Sequence, residues 1–211
     1  MFTNPGAANH TFSYLALGDS YTIGESVDAS ARWPVQLAGL LRQSSIDVGE
    51  PDIIAQTGWT TNELRDAIRE SHIRKTYDLV SLLIGVNNQY RGRSLNRYRA
   101  EFYKLLQTAI VFAKGISGRV LVLSIPDWSA TPFAKRRNRV KIASEIDAFN
   151  AVAQDECRKA GIAYVDITPL SRKAAGDDTQ FAQDGLHYSG EQMQQWAKMA
   201  LPVAIDLLKK P

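Results

Sequence analysis

The sequence predicts an α/β fold, a three-layer α/β/α sandwich around one parallel sheet of five strands. Short apolar runs alternate with longer segments of helical periodicity along the 211 residues, which is typical of a parallel sheet with helical crossovers. The apolar runs are continuous, as expected for strands buried on both faces. Because neither a linker nor an internal repeat interrupts the pattern, we expect one domain over residues 1–211, with residues 1–10 flexible.

The predicted strands are short runs rich in Val, Ile and Leu, and most are followed at once by glycine or proline. Such punctuation marks the turn at the end of an element. In chain order, the strands cover residues 12–17, 52–57, 77–84, 119–125 and 162–167.

The predicted helices fill the gaps and carry end signals. Thr60-x-x-Glu63 and Ser189-x-x-Gln192 are capping-box patterns that open helices. Gly161 is a typical residue just past a helix end. In chain order, the helices cover residues 32–43, 60–70, 94–114, 135–160 and 189–208.

Composition and charge exclude several classes of protein. The chain has 25 basic and 22 acidic residues, and its net charge of +3 is too small for the footprint of a nucleic-acid-binding protein. No apolar stretch reaches the ~18 residues that a membrane-spanning helix needs. The one cysteine, Cys157, excludes an intrachain disulfide and is expected to be a thiol packed within a helix.

Residues 1–10 lack the basic and apolar regions of a secretory signal. The expected location is therefore the cytoplasm by default, or the periplasm or the exterior if a signal peptide has been removed. The sequence leaves the compartment and the oligomeric state open.

Chemically useful residues follow the predicted strands. Ser20 comes just after the first, Gly58 after the second, Asn87 after the third, and Asp184 and His187 follow the fifth. Ligands of open α/β sheets bind outside the carboxyl ends of the strands. These residues are therefore expected to converge on one edge of the sheet.

This set of residues suits acyl transfer. A serine hydroxyl needs an adjacent base, and histidine titrates near neutral pH. Asp184 precedes His187 by three residues, so a short loop brings the two side chains together to fix the ring tautomer. The backbone N–H groups of Ser20 and Gly58 and the side-chain amide of Asn87 are candidate donors to an oxyanion.

The other two histidines, His10 and His72, lack such a setting and are expected to be solvated. A zinc site draws three or four His, Cys or carboxylate ligands, so we expect no metal and no cofactor.

Four blocks of the sequence resemble the SGNH hydrolases, also called GDSL lipases/acylhydrolases. In order, the blocks are Gly18-Asp19-Ser20-Tyr21, then Gly58, then Gly85-Val86-Asn87, then Asp184 and His187. The resemblance implies a flavodoxin-like α/β/α fold and a metal-free Ser-His-Asp mechanism on esters. It also implies that Ser20 is the nucleophile and that Ser20, Gly58 and Asn87 form the oxyanion hole. One departure is Asn88, which stands where the family usually has Asp and lacks the negative charge of that residue.

Residues that flank the four blocks are expected to face the substrate. They are Asp19, Tyr21, Asn88, Gln89, Tyr90, Leu186 and Tyr188. Residues 126–133 form either an apolar wall of the pocket or a loop that packs its own aromatic rings. Arg91 and Arg93 either contact an acidic or hydroxyl-rich leaving group or lie in solvent.

The predicted function is a serine-dependent esterase or acylhydrolase that forms an acyl-enzyme on Ser20. The expected partner is a small ester: a short acyl ester, an acetylated carbohydrate or a lysophospholipid. An acyltransferase and a non-catalytic ligand-binding protein on the same fold are the alternatives. The acyl length and the alcohol part of the substrate stay open.

A further alternative comes from the basic residues 135–139, which are predicted to open a helix. Basic charge is mildly unfavourable at a helix N-terminus, so the run could serve a nucleic-acid or anion partner. A lone basic helix face is usually only solvated, and we expect no nucleic-acid partner.

Overall fold

A computed structural model describes residues 10–209 of the chain. It contains one sheet of five parallel strands in the order β2-β1-β3-β4-β5. The predicted fold class, with helices on both faces of the sheet, is confirmed. The strands are β1 (Tyr14–Gly18), β2 (Asp52–Ala55), β3 (Leu79–Leu83), β4 (Val120–Leu123) and β5 (Ala163–Val165).

Eight α-helices connect and cover these strands in the described residues. Helices α2 and α8 pack against each other on one side, and α5 packs against α3 and α6 on the other. Their bounds are α1 (Ser20–Ile23), α2 (Trp33–Gln43), α3 (Thr61–Glu70), α4 (Val86–Tyr90), α5 (Leu95–Phe112), α6 (Arg139–Ala160), α7 (Thr168–Lys173) and α8 (Gly190–Lys209).

The central strands are buried as their sequences predict. Every residue of β1 and of β3 is buried, because helices shield both faces of these strands. The register pairs Gly18 with Leu83 of β3 and with Ala55 of β2. The carboxyl ends of the first three strands therefore lie side by side, at the edge where the candidate residues were expected.

Most helix ends follow their sequence signals. The Thr60 N–H donates to Glu63 Oε2 at 2.8 Å, which confirms this capping box. Gly161 ends α6 in a left-handed conformation. The second capping box forms only in part, because Gln192 donates its backbone N–H to Ser189 Oγ but uses its side-chain amide on Gln180.

The prediction that the basic run opens a helix at residue 135 is wrong. Residues Pro132–Arg136 form a 3₁₀ segment, and α6 begins at Arg139. Asn138 is the reason, because its side chain accepts a hydrogen bond of 3.0 Å from the Lys141 N–H and so caps the helix. The basic residues before Asn138 therefore lie on a separate turn.

Cys157 is buried within α6, and burial raises its thiol pKa to about 12. This matches the expected packed thiol. In residues 10–209, no helix is long and apolar enough to cross a membrane. The predicted flexibility of residues 1–10 concerns mainly residues 1–9, which lie outside the described residues.

Candidate active site

The candidate nucleophile lies at the junction of β1 and α1. Asp19 caps α1 by accepting a 3.1 Å hydrogen bond from the Tyr21 N–H, so Ser20 becomes the first helical residue. Gly18 allows this tight turn, because a Cβ atom there would lie 2.6 Å from the Leu83 carbonyl oxygen. Ser20 is 4% exposed and lies just past the carboxyl end of β1.

Asp184 and His187 form a close pair. His187 Nδ1 lies 2.6 Å from Asp184 Oδ2. The other carboxylate oxygen accepts 2.9 Å hydrogen bonds from the backbone N–H groups of Leu186 and His187. Burial acts to raise the Asp184 pKa, but the hydrogen bonds from His187, Leu186 and Ser26 outweigh it and lower the pKa to about 2. Asp184 is therefore ionised at neutral pH and orients the His187 ring.

Ser20 and His187 line the same cavity of about 200 Å³. Their side chains form no hydrogen bond to each other among the contacts of residues 10–209; in active sites, the contact between a nucleophile and its base often closes only when substrate binds. The Tyr21 ring meets the His187 ring edge-on, with centroids 5.9 Å apart. The imidazole is thus held between a carboxylate and an aromatic ring. Of the other histidines, His10 contacts Asp78, and His72 follows α3.

The candidate oxyanion donors come from the three segments that follow β1, β2 and β3 at this edge. Asn87 lines the cavity with Ser20 and donates one amide hydrogen to the Trp59 carbonyl at 2.9 Å. Gly58, one residue before Trp59, has φ +87°, which favours glycine. Gly58 does not line the cavity itself. Within residues 10–209 the Gly58 N–H donates no hydrogen bond.

The remaining cavity wall is apolar and aromatic. Of the residues predicted to face the substrate, Tyr21, Tyr90 and Leu186 line the cavity. Trp128, from the predicted wall at residues 126–133, lines it too, and its indole N–H donates to Gln89 Oε1 at 2.8 Å. The Tyr90 and Trp128 rings meet edge-on at 5.5 Å, which makes this side of the cavity a continuous aromatic surface.

Four other residues predicted to face the substrate do not line the cavity. Asp19 is buried as the cap of α1, and Asn88 is buried against Thr61. Gln89 is occupied by Trp128 and Glu145. The Tyr188 hydroxyl donates to the Asp127 carbonyl at 2.7 Å. Proximity to a motif in sequence does not determine which way a side chain points: Asp19, Asn88 and Tyr188 point into the protein, and Gln89 lines a neighbouring groove instead of this cavity.

Asn88 ties the α4 segment to the start of α3. Its Oδ1 accepts from the Thr61 N–H at 3.0 Å, and its Nδ2 donates to Thr61 Oγ1 at 2.7 Å. Arg91 makes a parallel link, because its Nη2 donates to the Gly58 carbonyl at 2.6 Å and its Nη1 pairs with Glu63. The loop that carries Gly58 is therefore held to the segment that carries Asn87.

Sequence reasoning missed Ser26 and Val86. Val86 lines the cavity, and its position beside Asn87 could have indicated it. The Ser26 hydroxyl donates to Asp184 Oδ2 at 2.9 Å, a contact between residues too distant in sequence to leave a local signal. In residues 10–209, no three His, Cys, Asp or Glu side chains are grouped to hold a metal.

A family model described as the GDSL-like lipase/acylhydrolase family matches residues 16–195. The chain belongs to this family. The matched segment contains Ser20, Gly58, Asn87, Asp184 and His187, and membership places the chain among hydrolases of the lipase and acylhydrolase type. A search of curated proteins finds no match.

Solved structures share the GDSL fold at low sequence identity. TesA has a TM-score of 0.72 and 20% identity over 92% of this chain and 99% of that chain. A lipase/acylhydrolase from Enterococcus faecalis has a TM-score of 0.70 and 19% identity, over 91% of this chain and 94% of that chain. The acetylxylan esterase Axe2 from Geobacillus stearothermophilus has a TM-score of 0.68 and 16% identity, over 95% of each chain. At these identities the likeness shows the common fold.

Proposed function

We propose that this GDSL-family chain hydrolyses carboxylic esters through an acyl-enzyme on Ser20. The observation that carries the proposal is the 2.6 Å contact between His187 Nδ1 and Asp184 Oδ2, together with a cavity that both His187 and Ser20 line. A histidine oriented by a carboxylate, beside a serine at a helix N-terminus, is the arrangement that activates a hydroxyl nucleophile.

Each group has one role in the first half-reaction. Ser20 Oγ attacks the ester carbonyl carbon while His187 Nε2 accepts the hydroxyl proton. The carbonyl oxygen becomes an oxyanion, and the C–O bond to the alcohol then breaks as His187 returns the proton to the leaving oxygen. Asp184 stays ionised throughout, which its lowered pKa of about 2 supports.

The second half-reaction repeats these steps with water. Water attacks the acyl carbon, His187 accepts its proton, and the bond to Ser20 Oγ breaks as that oxygen regains a proton. The products are the free acid and the original serine. In both halves the oxyanion faces the N–H groups of Ser20 and Gly58 and the Asn87 amide. One such donor is typically worth about 10²–10³ in rate.

The size and lining of the cavity favour a short acyl group. Its volume of about 200 Å³ lies below the roughly 300–1,000 Å³ of sites for drug-sized ligands. Val86, Tyr90, Trp128 and Leu186 offer the acyl group apolar contacts within this small volume. We therefore expect activity to fall as the acyl chain lengthens.

The test combines turnover with covalent labelling. p-Nitrophenyl esters from acetate to octanoate are assayed with the wild type, Ser20→Ala and the control Ser44→Ala, a serine at the end of α2 that lies outside the cavity. We expect at least a 10³-fold loss of kcat in Ser20→Ala only. A fluorophosphonate should label the wild type and the control, with the mass increase on the peptide that contains Ser20. Equal turnover or labelling in Ser20→Ala would refute the proposal.

A further inference from the structure

A second groove opens beside the catalytic cavity and shares part of its wall. Its volume is about 620 Å³, and Tyr90 and Trp128 line both it and the cavity. A ligand whose reacting carbonyl lies at Ser20 therefore reaches this groove across one continuous aromatic surface. The groove belongs to the site of the proposed ester hydrolysis, and it is far larger than the cavity itself.

The charge of this groove is mainly positive. Three cationic side chains, Arg136, Arg137 and Lys141, and one carboxylate, Glu145, line it. Glu145 accepts a hydrogen bond of 2.7 Å from Gln89 Nε2 and lies 3.7 Å from Lys141 Nζ. The carboxylate is thus already engaged by its neighbours.

The two arginines have no such partner. Within residues 10–209, the side chains of Arg136 and Arg137 form neither a salt bridge nor a hydrogen bond, whereas Arg139 from the same basic run donates to the Thr131 carbonyl at 2.9 Å. Arg139 therefore stabilises the fold through this hydrogen bond, whereas Arg136 and Arg137 line the groove. Unpaired guanidinium groups present planar N–H donors that suit carboxylate and phosphate oxygens.

Arg137 is held at the junction of cavity and groove by aromatic rings. Its guanidinium carbon lies 5.0 Å from the centroid of Phe133, 5.8 Å from Tyr90 and 6.0 Å from Trp128. Cation–π contacts restrain the group without using its hydrogen-bond donors. The guanidinium is thereby positioned beside the substrate surface with its N–H groups available.

We propose that this basic groove binds an anionic group, a carboxylate or a phosphate, that the ester substrate carries. This inference rests on the proposed ester hydrolysis at Ser20 and specifies its substrate class: esters with a negative charge separated from the reacting carbonyl by an apolar segment. That segment lies against Tyr90 and Trp128, and Arg136 and Arg137 bind the anion.

The experiment compares charged and neutral esters of matched structure. One pair places a carboxylate on the acyl part, mono-4-nitrophenyl glutarate against 4-nitrophenyl butyrate. A second set places the charge on the leaving group, 4-acetoxybenzoate and 4-acetoxyphenyl phosphate against phenyl acetate. The wild type is compared with Arg136→Gln/Arg137→Gln and with the control Arg69→Gln/Arg74→Gln, which removes the same charge at or just beyond the C-terminal end of α3.

The readout is the ratio of kcat/KM for a charged ester to that for its neutral partner. We expect the ratio for at least one charged ester to fall about tenfold in Arg136→Gln/Arg137→Gln and to be unchanged in the control. The ester that responds shows which part of the substrate enters the groove and whether carboxylate or phosphate is preferred. Added salt should lower this ratio in the wild type and have a smaller effect in the variant.

Ratios that are the same in the wild type and in Arg136→Gln/Arg137→Gln for all charged esters would overturn the proposal. This outcome is distinct from failure of the proposed function, which would appear as absence of Ser20-dependent turnover of the neutral esters.

Discussion

Ser26 Oγ donates a hydrogen bond of 2.9 Å to Asp184 Oδ2, the same carboxylate oxygen that lies 2.6 Å from His187 Nδ1. Ser26 is exposed and has φ +64°, a conformation that serine rarely adopts. The other donors to Asp184 come from its own loop. Ser26 therefore links the loop after the nucleophile to the loop that carries the histidine.

Ser26→Ala should lower kcat by about threefold to tenfold with little change in KM. The lost hydrogen bond has a charged acceptor, but exposure to solvent reduces its value. Steady-state kinetics on 4-nitrophenyl acetate measure both parameters. Ser26→Gly is the matched control, because it removes the same hydroxyl and relaxes the left-handed backbone by up to about 1 kcal/mol. Both variants should lose activity equally, and recovery of kcat in Ser26→Gly would show that backbone strain is the cause.

Arg91→Gln should lower kcat by about fivefold to twentyfold and leave KM nearly unchanged. Arg91 holds the Gly58 carbonyl at 2.6 Å, so its loss loosens an oxyanion donor that acts on the transition state. The matched control is Arg93→Gln, since Arg93 is an exposed arginine on the same loop. A rise in KM at constant kcat would instead mean that Arg91 contacts the substrate directly.

The sequence indicated the edge of the sheet where the site lies, because apolar runs mark the strands and parallel strands end together. Ser20 and Asn87 could be placed in this way, and the Asp184–His187 pair followed from its three-residue spacing. The contact from Ser26 spans 158 positions, and no local pattern encodes it.

Side-chain direction was harder to predict than backbone position. Asn88 and Asn87 are neighbours, yet one is buried against Thr61 and the other lines the cavity. The start of α6 was also misplaced: residues 135–138 contain no apolar residue that marks a helix face, and the cap by Asn138 separates them from the helix. The burial of Asn88 depends on bonds to a residue 27 positions away, whereas the Asn138 cap is local and its residue type could have indicated it.

Asn88→Asp should destabilise the protein by about 2–4 kcal/mol. Asn88 is fully buried, and its Nδ2 lies 3.5 Å from Glu101 Oε2 while donating to Thr61 Oγ1. A carboxylate in its place would face Glu101 as a like charge and could not donate to Thr61. We infer that this like charge favours Asn over Asp at position 88. Urea denaturation measures the change.

Glu101→Gln provides the matched test of this explanation. In Asn88→Asp/Glu101→Gln the second carboxylate is absent, so the double variant should recover about 1–3 kcal/mol relative to the sum of the single changes. Additive losses would mean that the cost of Asp at position 88 comes from desolvation and from the lost hydrogen bond to Thr61, and not from Glu101.

Asp19→Asn should change how stability depends on pH. Burial raises the Asp19 pKa to about 7, although the hydrogen bond from the Tyr21 N–H acts to lower it. The pKa of Asp in the unfolded chain is ~3.9. Between about pH 4 and pH 7 the folded chain therefore holds a proton on Asp19 that the unfolded chain releases. The stabilisation from Asp19 is full below that range and is lost as pH rises, by up to ~1.4 kcal/mol per pH unit. Urea unfolding at pH 4.5, 5.5 and 6.5 should show that the free energy of unfolding of Asp19→Asn increases relative to that of the wild type at each step. If the free energies of unfolding of the two proteins change with pH in parallel, Asp19 is not protonated in the folded chain.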